Sequence, residues 1–226
     1  MIRYNELTKI FHDGEKDLRI IDHASFDFPT SGTVAIVGAS GVGKSTLLLL
    51  LGALDSPSSG EIFIGDQEIG KLSSDALAAI RRDKIGFVFQ FNQLLSDFTA
   101  IENVAMPLLL RGQGEKESMT LAEQALVSLG LEERVHHRPK ALSGGEQQRV
   151  AIARAIVGRP PVILADEPTG SLDPETAKIV EGQLVSVVRE LNGLLIVVTH
   201  NYSLAKSMDV VLEMKPGGQL IQGGRL

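Results

Sequence analysis

The sequence predicts an α/β fold, because strands that are apolar on both faces alternate along the chain with helical patterns. Three runs lack the polar–apolar alternation of a half-exposed strand: residues 33–37, 162–165 and 194–199. Such strands are typical of a parallel sheet that is covered by helices on both sides. Cysteine is absent, which excludes disulfide scaffolds, thiol catalysis and cysteine-ligated metal sites.

Helical patterns fill the stretches between these strands. Residues 44–51 end in five consecutive leucines, which predicts a buried helix. Two further segments keep the i, i+3, i+4, i+7 spacing of an amphipathic helix. One covers 122–129 and is stopped by Gly130, and the other covers 177–191 and is ended by Asn192 and Gly193.

The first sixty residues read as strands joined by turns. Alternation over residues 25–28 predicts a half-buried strand, and residues 61–64 followed by Gly65 and Asp66 predict a hairpin. The middle of the chain, residues 91–140, has no doubly apolar strand and looks helical. We interpret it as an insert in the α/β core.

Length and charge narrow the function classes. At about 150 residues per domain, 226 residues make one large domain or a core with a smaller insert. The formal net charge of −6 argues against sequence-blind nucleic-acid binding, which needs a basic stripe. The N-terminus shows no secretory signal pattern, and the longest apolar stretch is far short of the ~20 residues that span a bilayer. We expect a soluble, cytoplasmic chain that reaches a membrane only through a partner.

A glycine-rich loop between a predicted strand and a predicted helix, residues 38–45, matches the phosphate-binding pattern G-x-x-x-x-G-K-[ST]. Glycines let backbone N–H groups converge on phosphate oxygens, and the helix N-terminus adds a partial positive charge. The alternative is an ordinary glycine-rich turn. Lys44 is predicted to reach the β- and γ-phosphates, and Ser45 to bind Mg²⁺. The predicted nucleotide contacts are Gly38, Ser40, Gly41, Gly43, Lys44, Ser45 and Thr46.

Two adjacent carboxylates, Asp166 and Glu167, follow the apolar run 162–165. Neighbouring residues of a strand point to opposite sides, so the two acids can do different work. Asp166 is predicted to be an outer Mg²⁺ ligand, bound through water. Glu167 is then left to polarise a water for attack on the γ-phosphate. The alternative is a pair of surface acids at the end of a strand.

A second glycine turn, residues 142–145, lies between the phosphate loop and Asp166 and opens a helical run. Over the whole chain, this order of motifs resembles that of ABC-transporter ATPase subunits. The resemblance implies a P-loop NTPase (RecA-like) core with an N-terminal antiparallel β subdomain and a helical subdomain inserted in the middle. It implies a single ABC ATPase domain at 1–226, with the core at about 1–90 and 160–226 and the helical subdomain at about 91–159.

The resemblance also implies roles for single residues. Gln90 falls where the family has a glutamine that contacts Mg²⁺ and senses the γ-phosphate, and His200 falls at the family's switch histidine. Phe11 lies where the family stacks an aromatic ring on adenine. Lys44, Gln90, Glu167 and His200 are therefore the expected catalytic residues, and Ser45, Gln90 and Asp166 the expected metal contacts.

The second glycine turn is implied to act across two subunits. Ser143, Gly144 and Gly145 would cap the γ-phosphate held by Lys44 of a second copy, and Asp173 would add a contact across the same interface. The residues alone leave other interpretations open. Ser143 is also a common helix cap, and Asp173 before Pro174 is an ordinary helix start.

Residues 89–110 and 165–173 are similar to the ATPases of lipoprotein-release (LolD-like) and macrolide-export (MacB-like) systems, with Ser171 where most members of the group have Asn. The resemblance implies a head-to-tail dimer around two Mg-ATP that drives a separately encoded transmembrane permease at the inner face of the cell membrane. Lipoprotein release from the inner membrane is the first interpretation. Export of macrolide-like compounds or peptides, and an FtsE-like cell-division signalling ATPase without transport, are the alternatives.

One segment predicts where a partner docks. Residues 91–110 are more apolar than an exposed segment should be, which indicates a groove for a partner's helix or, alternatively, core packing. The residues that carry this prediction are Leu94, Leu95, Phe98 and Met106. A soluble ABC ATPase acting on ribosomes or chromosomes is disfavoured, because that class usually has two fused cassettes or a long coiled-coil insert.

Overall fold

The computed structural model describes residues 2–14 and 16–223. The chain forms two compact units, one made of Met1–Arg81 and Leu194–Leu226 and the other of Arg82–Gly193. The elements in chain order are β1 (Ile2–Asp13), β2 (Lys16–Asp27), β3 (Gly32–Val37), α1 (Lys44–Leu51), β4 (Ser59–Ile64), β5 (Gln67–Glu68), α2 (Ser74–Lys84), β6 (Ile85–Val88), α3 (Ala100–Leu110), α4 (Glu115–Ser128), α5 (Gly144–Ile156), β7 (Val162–Asp166), α6 (Pro174–Glu190), β8 (Leu194–Val198), α7 (Tyr202–Lys206), β9 (Val210–Met214) and β10 (Leu220–Gln222).

The first unit contains an antiparallel sheet with the strand order β2-β1-β4-β5. The long β1–β2 pair lies at one edge of this sheet, and its register shifts near Leu7 and Lys9. The predicted hairpin after Ile64 is confirmed, since β4 and β5 pair antiparallel with Ile64 opposite Gln67. The buried side of this sheet includes Ile2, Tyr4 and Ile62, none of which is exposed to solvent.

The same unit holds the strands that lead to the phosphate loop. β3 pairs in parallel with β8 on one side and with β9 on the other. β8 is buried along its whole length, and so is β3 after Gly32, which confirms the prediction from their doubly apolar sequences. α1 has the predicted bounds and buries most of its residues. It follows β3 after the loop of residues 38–43.

The second unit combines one parallel strand pair with helices. β6 and β7 pair in parallel, with Ile85 opposite Val162. Residues 91–140 contain helices and no strand, as predicted for the insert, and α4 is followed by Gly130 with φ +69°. Along the part of the chain that the structure covers, no helix is both long enough and apolar enough to cross a membrane.

Tyr4 presents a buried hydroxyl with no hydrogen-bond partner among the described residues. Its side chain is fully buried on β1, and burial raises the pKa of the Tyr4 hydroxyl. An unsatisfied buried hydroxyl costs about 1–3 kcal/mol of desolvation.

We therefore expect Tyr4→Phe to leave the free energy of unfolding unchanged or to raise it by about 1 kcal/mol, because the ring is kept and the orphaned hydroxyl is removed. Urea unfolding followed by circular dichroism measures this. Tyr202→Phe, at a tyrosine that is 54% exposed, is the matched control and should change nothing. A clear loss of stability in Tyr4→Phe would show that the hydroxyl is satisfied.

Candidate nucleotide-binding site

The phosphate loop depends on glycine at three places. Gly38, Gly41 and Gly43 all have positive φ, at 154°, 75° and 110°. A Cβ on Gly43 would lie 2.5 Å from Cγ2 of Ile20, and one on Gly38 would lie 2.7 Å from the carbonyl oxygen of Met214. A Cβ on Gly41 would meet nothing within 4 Å. The loop is thus packed tightly at both ends, while its middle faces open space.

The start of α1 is arranged to receive an anion. Gly43 is the N-cap residue, no side chain caps the helix, and its first turn contains no acidic residue. The positive end of the helix dipole is therefore not compensated by a carboxylate of the helix itself. Ser45 is exposed and Thr46 half-buried in this first turn, and Ser40 is exposed in the loop. These features fit a phosphate group.

Lys44 closes the loop from inside. Its side chain is 6% exposed, and Nζ donates hydrogen bonds to the carbonyl oxygens of Gly38 at 3.0 Å and Ala39 at 2.9 Å. Nζ also lies 3.4 Å from Nε2 of His200, which follows β8. The structure thus brings together two of the expected catalytic residues, Lys44 and His200.

Phe11 lies on β1 directly opposite Leu18 of β2 and is 41% exposed. The ammonium of Lys9 lies 4.9 Å from the centroid of its ring. The ring is available to stack on a base, and its assignment to adenine stays a prediction.

In the second unit, the two acids differ in backbone conformation. Asp166 is the last residue of β7, whereas Glu167 has φ +43°, which is unusual and costly for a residue with a side chain. Both are half-buried. Because the chain leaves the strand here, a left-handed backbone rather than strand alternation sets the direction of Glu167.

Gln90 lies close to Glu167. A Cβ on Gly170 would lie 3.1 Å from Nε2 of Gln90 and 3.4 Å from Cβ of Glu167, so both side chains pack against the same glycine. The sequence pattern indicates a role for neither Gly170 nor Gln148. The amide of Gln148 donates to the carbonyl oxygen of Phe89 at 3.0 Å. The partners of that bond are separated by 59 positions, and nothing in the local pattern indicates it.

Ser143 caps α5 through a capping box. Its Oγ accepts a hydrogen bond from the Glu146 backbone N–H at 3.3 Å, and Oε2 of Glu146 accepts one from the Ser143 N–H at 2.7 Å. Nε of Arg134 donates to the other carboxylate oxygen at 2.7 Å. The helix-cap interpretation of Ser143 is therefore confirmed, and its phosphate contact stays a prediction.

The start of α6 lies against the start of α5. A Cβ on Gly145 would lie 2.4 Å from Cγ2 of Thr176, and one on Gly144 would lie 3.6 Å from Leu172. Asp173 caps α6 by accepting from the N–H groups of Glu175 and Thr176, and hydrogen bonding from Thr176 lowers the pKa of its carboxyl. The predicted helix start at Asp173 is confirmed, and its contact with a second subunit stays a prediction.

The sequence of this chain is similar to a known protein family and to named relatives. A family model described as ABC transporter matches residues 21–170. The chain is 48% identical over 217 residues to the lipoprotein-releasing system ATP-binding protein LolD of Idiomarina loihiensis, covering 96% of this chain and 95% of that protein. It is 48% identical over 211 residues to the protein of the same name in Koribacter versatilis, covering 93% and 95%.

Two solved structures are similar over nearly the whole chain. Both are described as dimeric structures of the ATP-binding cassette MJ0796, one of them in a post-hydrolysis state bound to ADP and Pi. Each has a TM-score of 0.90 and 38% sequence identity, and covers 98% of this chain and 97% of the other. This likeness confirms the predicted fold class.

The capping box predicts how stability changes in acid. Bonding to the Ser143 N–H, helped by Arg134, lowers the pKa of Glu146 from its ordinary value to about 2. A lowered pKa in the folded state means that the ionised carboxylate stabilises the fold above the pKa of the unfolded chain. That contribution is lost as the pH falls from about 4.5 towards 2.

We expect the stability difference between the unchanged protein and Glu146→Gln to narrow as the pH is lowered from about 6 to about 3, because glutamine does not titrate. Urea unfolding at several pH values measures this. Glu123→Gln, on an exposed position of α4, is the control and should keep a constant difference. A Glu146→Gln difference that does not depend on pH would contradict the assignment.

Proposed function

The chain belongs to the ABC transporter family, and from this premise we propose that it is the ATP-hydrolysing subunit of a transporter that releases lipoproteins from the inner membrane. It binds and hydrolyses ATP, as its family does. The observation that carries the catalytic part is the glycine loop closed around the buried ammonium of Lys44, with His200 beside it. The substrate class is supported by relatives that are 46–48% identical and are named as parts of a lipoprotein-releasing system.

The phosphate loop would bind the nucleotide through its backbone N–H groups and Lys44. Lys44 and His200 would contact the γ-phosphate, and Phe11 would stack on the adenine. Ser45, Asp166 and Gln90 are the residues that would hold Mg²⁺, which neutralises charge on the β- and γ-phosphates when bound.

Glu167 is proposed to be the general base. Its carboxylate would accept a proton from the attacking water. The left-handed backbone at Glu167 supports this role, because strain of this kind concentrates at functional sites, where the surrounding structure maintains it.

Substitutions at Lys44 and Glu167 should separate binding from turnover. Lys44→Ala should lose nucleotide binding, because phosphate charge is left unpaired. Glu167→Gln should keep binding and lose turnover by about 10²–10⁴-fold, the usual contribution of a positioned base. Fluorescent-nucleotide titration and steady-state ATPase assays measure the two effects.

Glu175→Gln is the matched control for the base, since Glu175 is an exposed glutamate at the start of α6. It should retain full turnover. If Glu167→Gln hydrolysed ATP at the unchanged rate, Glu167 would not be the base.

We propose further that ATP joins two copies head to tail, with Ser143, Gly144, Gly145 and Asp173 of one copy completing the site of the other. The similar cassettes are described as dimers, which supports this arrangement. Within each chain only residues 38–45 match the phosphate-loop pattern. The second glycine turn, residues 142–145, would therefore contact the nucleotide bound by the phosphate loop of the other copy.

The Glu167→Gln variant should therefore form a dimer in Mg-ATP that disperses when nucleotide is removed, because slowed hydrolysis keeps the ATP that joins the copies. Light scattering measures the mass. Lys44→Ala under the same conditions is the control and should stay monomeric. A Glu167→Gln monomer under saturating ATP, with the membrane partner also present, would contradict the proposal.

Docking to a membrane subunit is proposed for the segment that follows Gln90. Phe91 is 73% exposed, Leu95 44% and Phe98 39%, whereas Leu94 and Met106 are half-buried and contribute less surface than predicted. The segment is held in place by Asn103, which is fully buried and donates to the carbonyl oxygens of Leu95, Phe98 and Thr99. A fixed loop that displays apolar side chains suits a partner's helix.

Leu95→Glu and Phe98→Glu should retain ATPase activity in the free subunit and lose stimulation by the membrane partner, because a charge replaces apolar contact. In proteoliposomes with that partner and a lipoprotein, ATP should drive release with the unchanged chain and not with the variants. Val127→Glu, at an exposed position of α4 (48%), is the control and should behave as the unchanged chain.

Variants that are stimulated normally would place the docking site elsewhere. Stimulation of the unchanged chain without lipoprotein release would favour export or signalling as the output.

A further inference from the structure

Two hydrogen bonds hold the backbone on both sides of Gln90. Nε2 of Gln148 donates to the carbonyl oxygen of Phe89 at 3.0 Å, and Oγ of Ser171 donates to the carbonyl oxygen of Gln90 at 3.2 Å. Gln148 is 1% exposed on α5, so its amide has left water and depends on bonds of this kind. The two peptide groups that flank the Cα of Gln90 are thus fixed from two different elements, α5 and the turn after β7.

The side chain of Gln90 is held by the same turn. A Cβ on Gly170 would lie 3.1 Å from Nε2 and 3.5 Å from Cδ of Gln90. The turn is closed by a hydrogen bond from the Gly170 N–H to the carbonyl oxygen of Glu167 at 3.0 Å. Residues 167–171 therefore include the proposed base Glu167, Gly170 against which the Gln90 amide packs, and Ser171, whose hydroxyl donates to the Gln90 backbone.

We propose that Ser171 is a positioning residue for Gln90, with Gln148 holding the preceding peptide. This rests on the proposed function, which gives Gln90 a contact with the γ-phosphate or its Mg²⁺. Because the backbone is bonded on both sides, the amide stays beside Glu167 and is not reordered at each turnover. Loss of the Ser171 hydroxyl should lower the rate of hydrolysis and leave nucleotide affinity nearly unchanged.

The first test compares Ser171→Ala with Ser171→Thr in steady-state ATPase assays. Removing the hydroxyl should lower kcat about 3- to 10-fold, as expected for one lost hydrogen bond, and change KM for ATP by less than about 2-fold. Threonine keeps the hydroxyl and should restore kcat. Ser128→Ala is the matched control, since Oγ of Ser128 donates in the same way to a backbone carbonyl, that of Ala125 at 2.8 Å. It should have no effect.

The second test asks whether Ser171 acts through Gln90. In a double-mutant cycle, Ser171→Ala should lower kcat in the unchanged chain and have no further effect in a Gln90→Ala background. Additive losses, or a Ser171→Ala enzyme with normal kcat, would overturn the proposal while leaving the ATPase assignment intact. A Gln90→Ala enzyme with normal kcat would overturn the role of Gln90 and this proposal together.

Discussion

The phosphate loop is organised around a buried positive charge. An ammonium group removed from water must be paired or hydrogen-bonded, because its desolvation is otherwise too costly. Lys44 meets this requirement by turning back on its own loop, to the carbonyl oxygens of Gly38 and Ala39. The chain can bend that tightly only with glycine at Gly38 and Gly43, where Met214 and Ile20 leave no space for a Cβ. Charge, backbone conformation and packing therefore depend on one another.

In the second unit, the turn after β7 carries Glu167, and the amide of Gln90, from the segment after β6, packs against the same turn. Glu167 has a left-handed backbone, and this strain is maintained because β7 before it is buried and the turn after it is hydrogen-bonded. The neighbouring α5 supplies Gln148 and Arg154 to carbonyl oxygens of residues 89, 92 and 93. Burial of Arg154 lowers the pKa of its guanidinium, which reflects how far this side chain has been removed from water.

The features that could be predicted from the sequence are those whose pattern lies within a few adjacent residues. This holds for the doubly apolar strands, the bounds of α1 and the hairpin at Gly65. The structure contains all three features. β6 is not among the three doubly apolar strands that the sequence predicts, and its short run contains Gly86. That glycine is required by a contact with the carbonyl oxygen of Ala155, 2.3 Å from where its Cβ would lie. The residues of the phosphate loop and the two acids after β7 could be predicted because they lie in short motifs. The roles of Gly170 and Gln148 arise from contacts with a distant segment, residues 89 and 90.

The capping box at Ser143 does not by itself explain why serine rather than aspartate stands at this position, since both are good N-caps. The cap uses a lone pair of Oγ, as acceptor for the Glu146 N–H, and a hydroxyl that accepts in this way still has its hydrogen to donate. Aspartate would cap the helix equally well, but it has no proton to offer when ionised and would repel a negatively charged ligand. The hydroxyl that caps the start of α5 therefore keeps a hydrogen that could be donated to an anion, so helix capping and phosphate binding are compatible in one side chain.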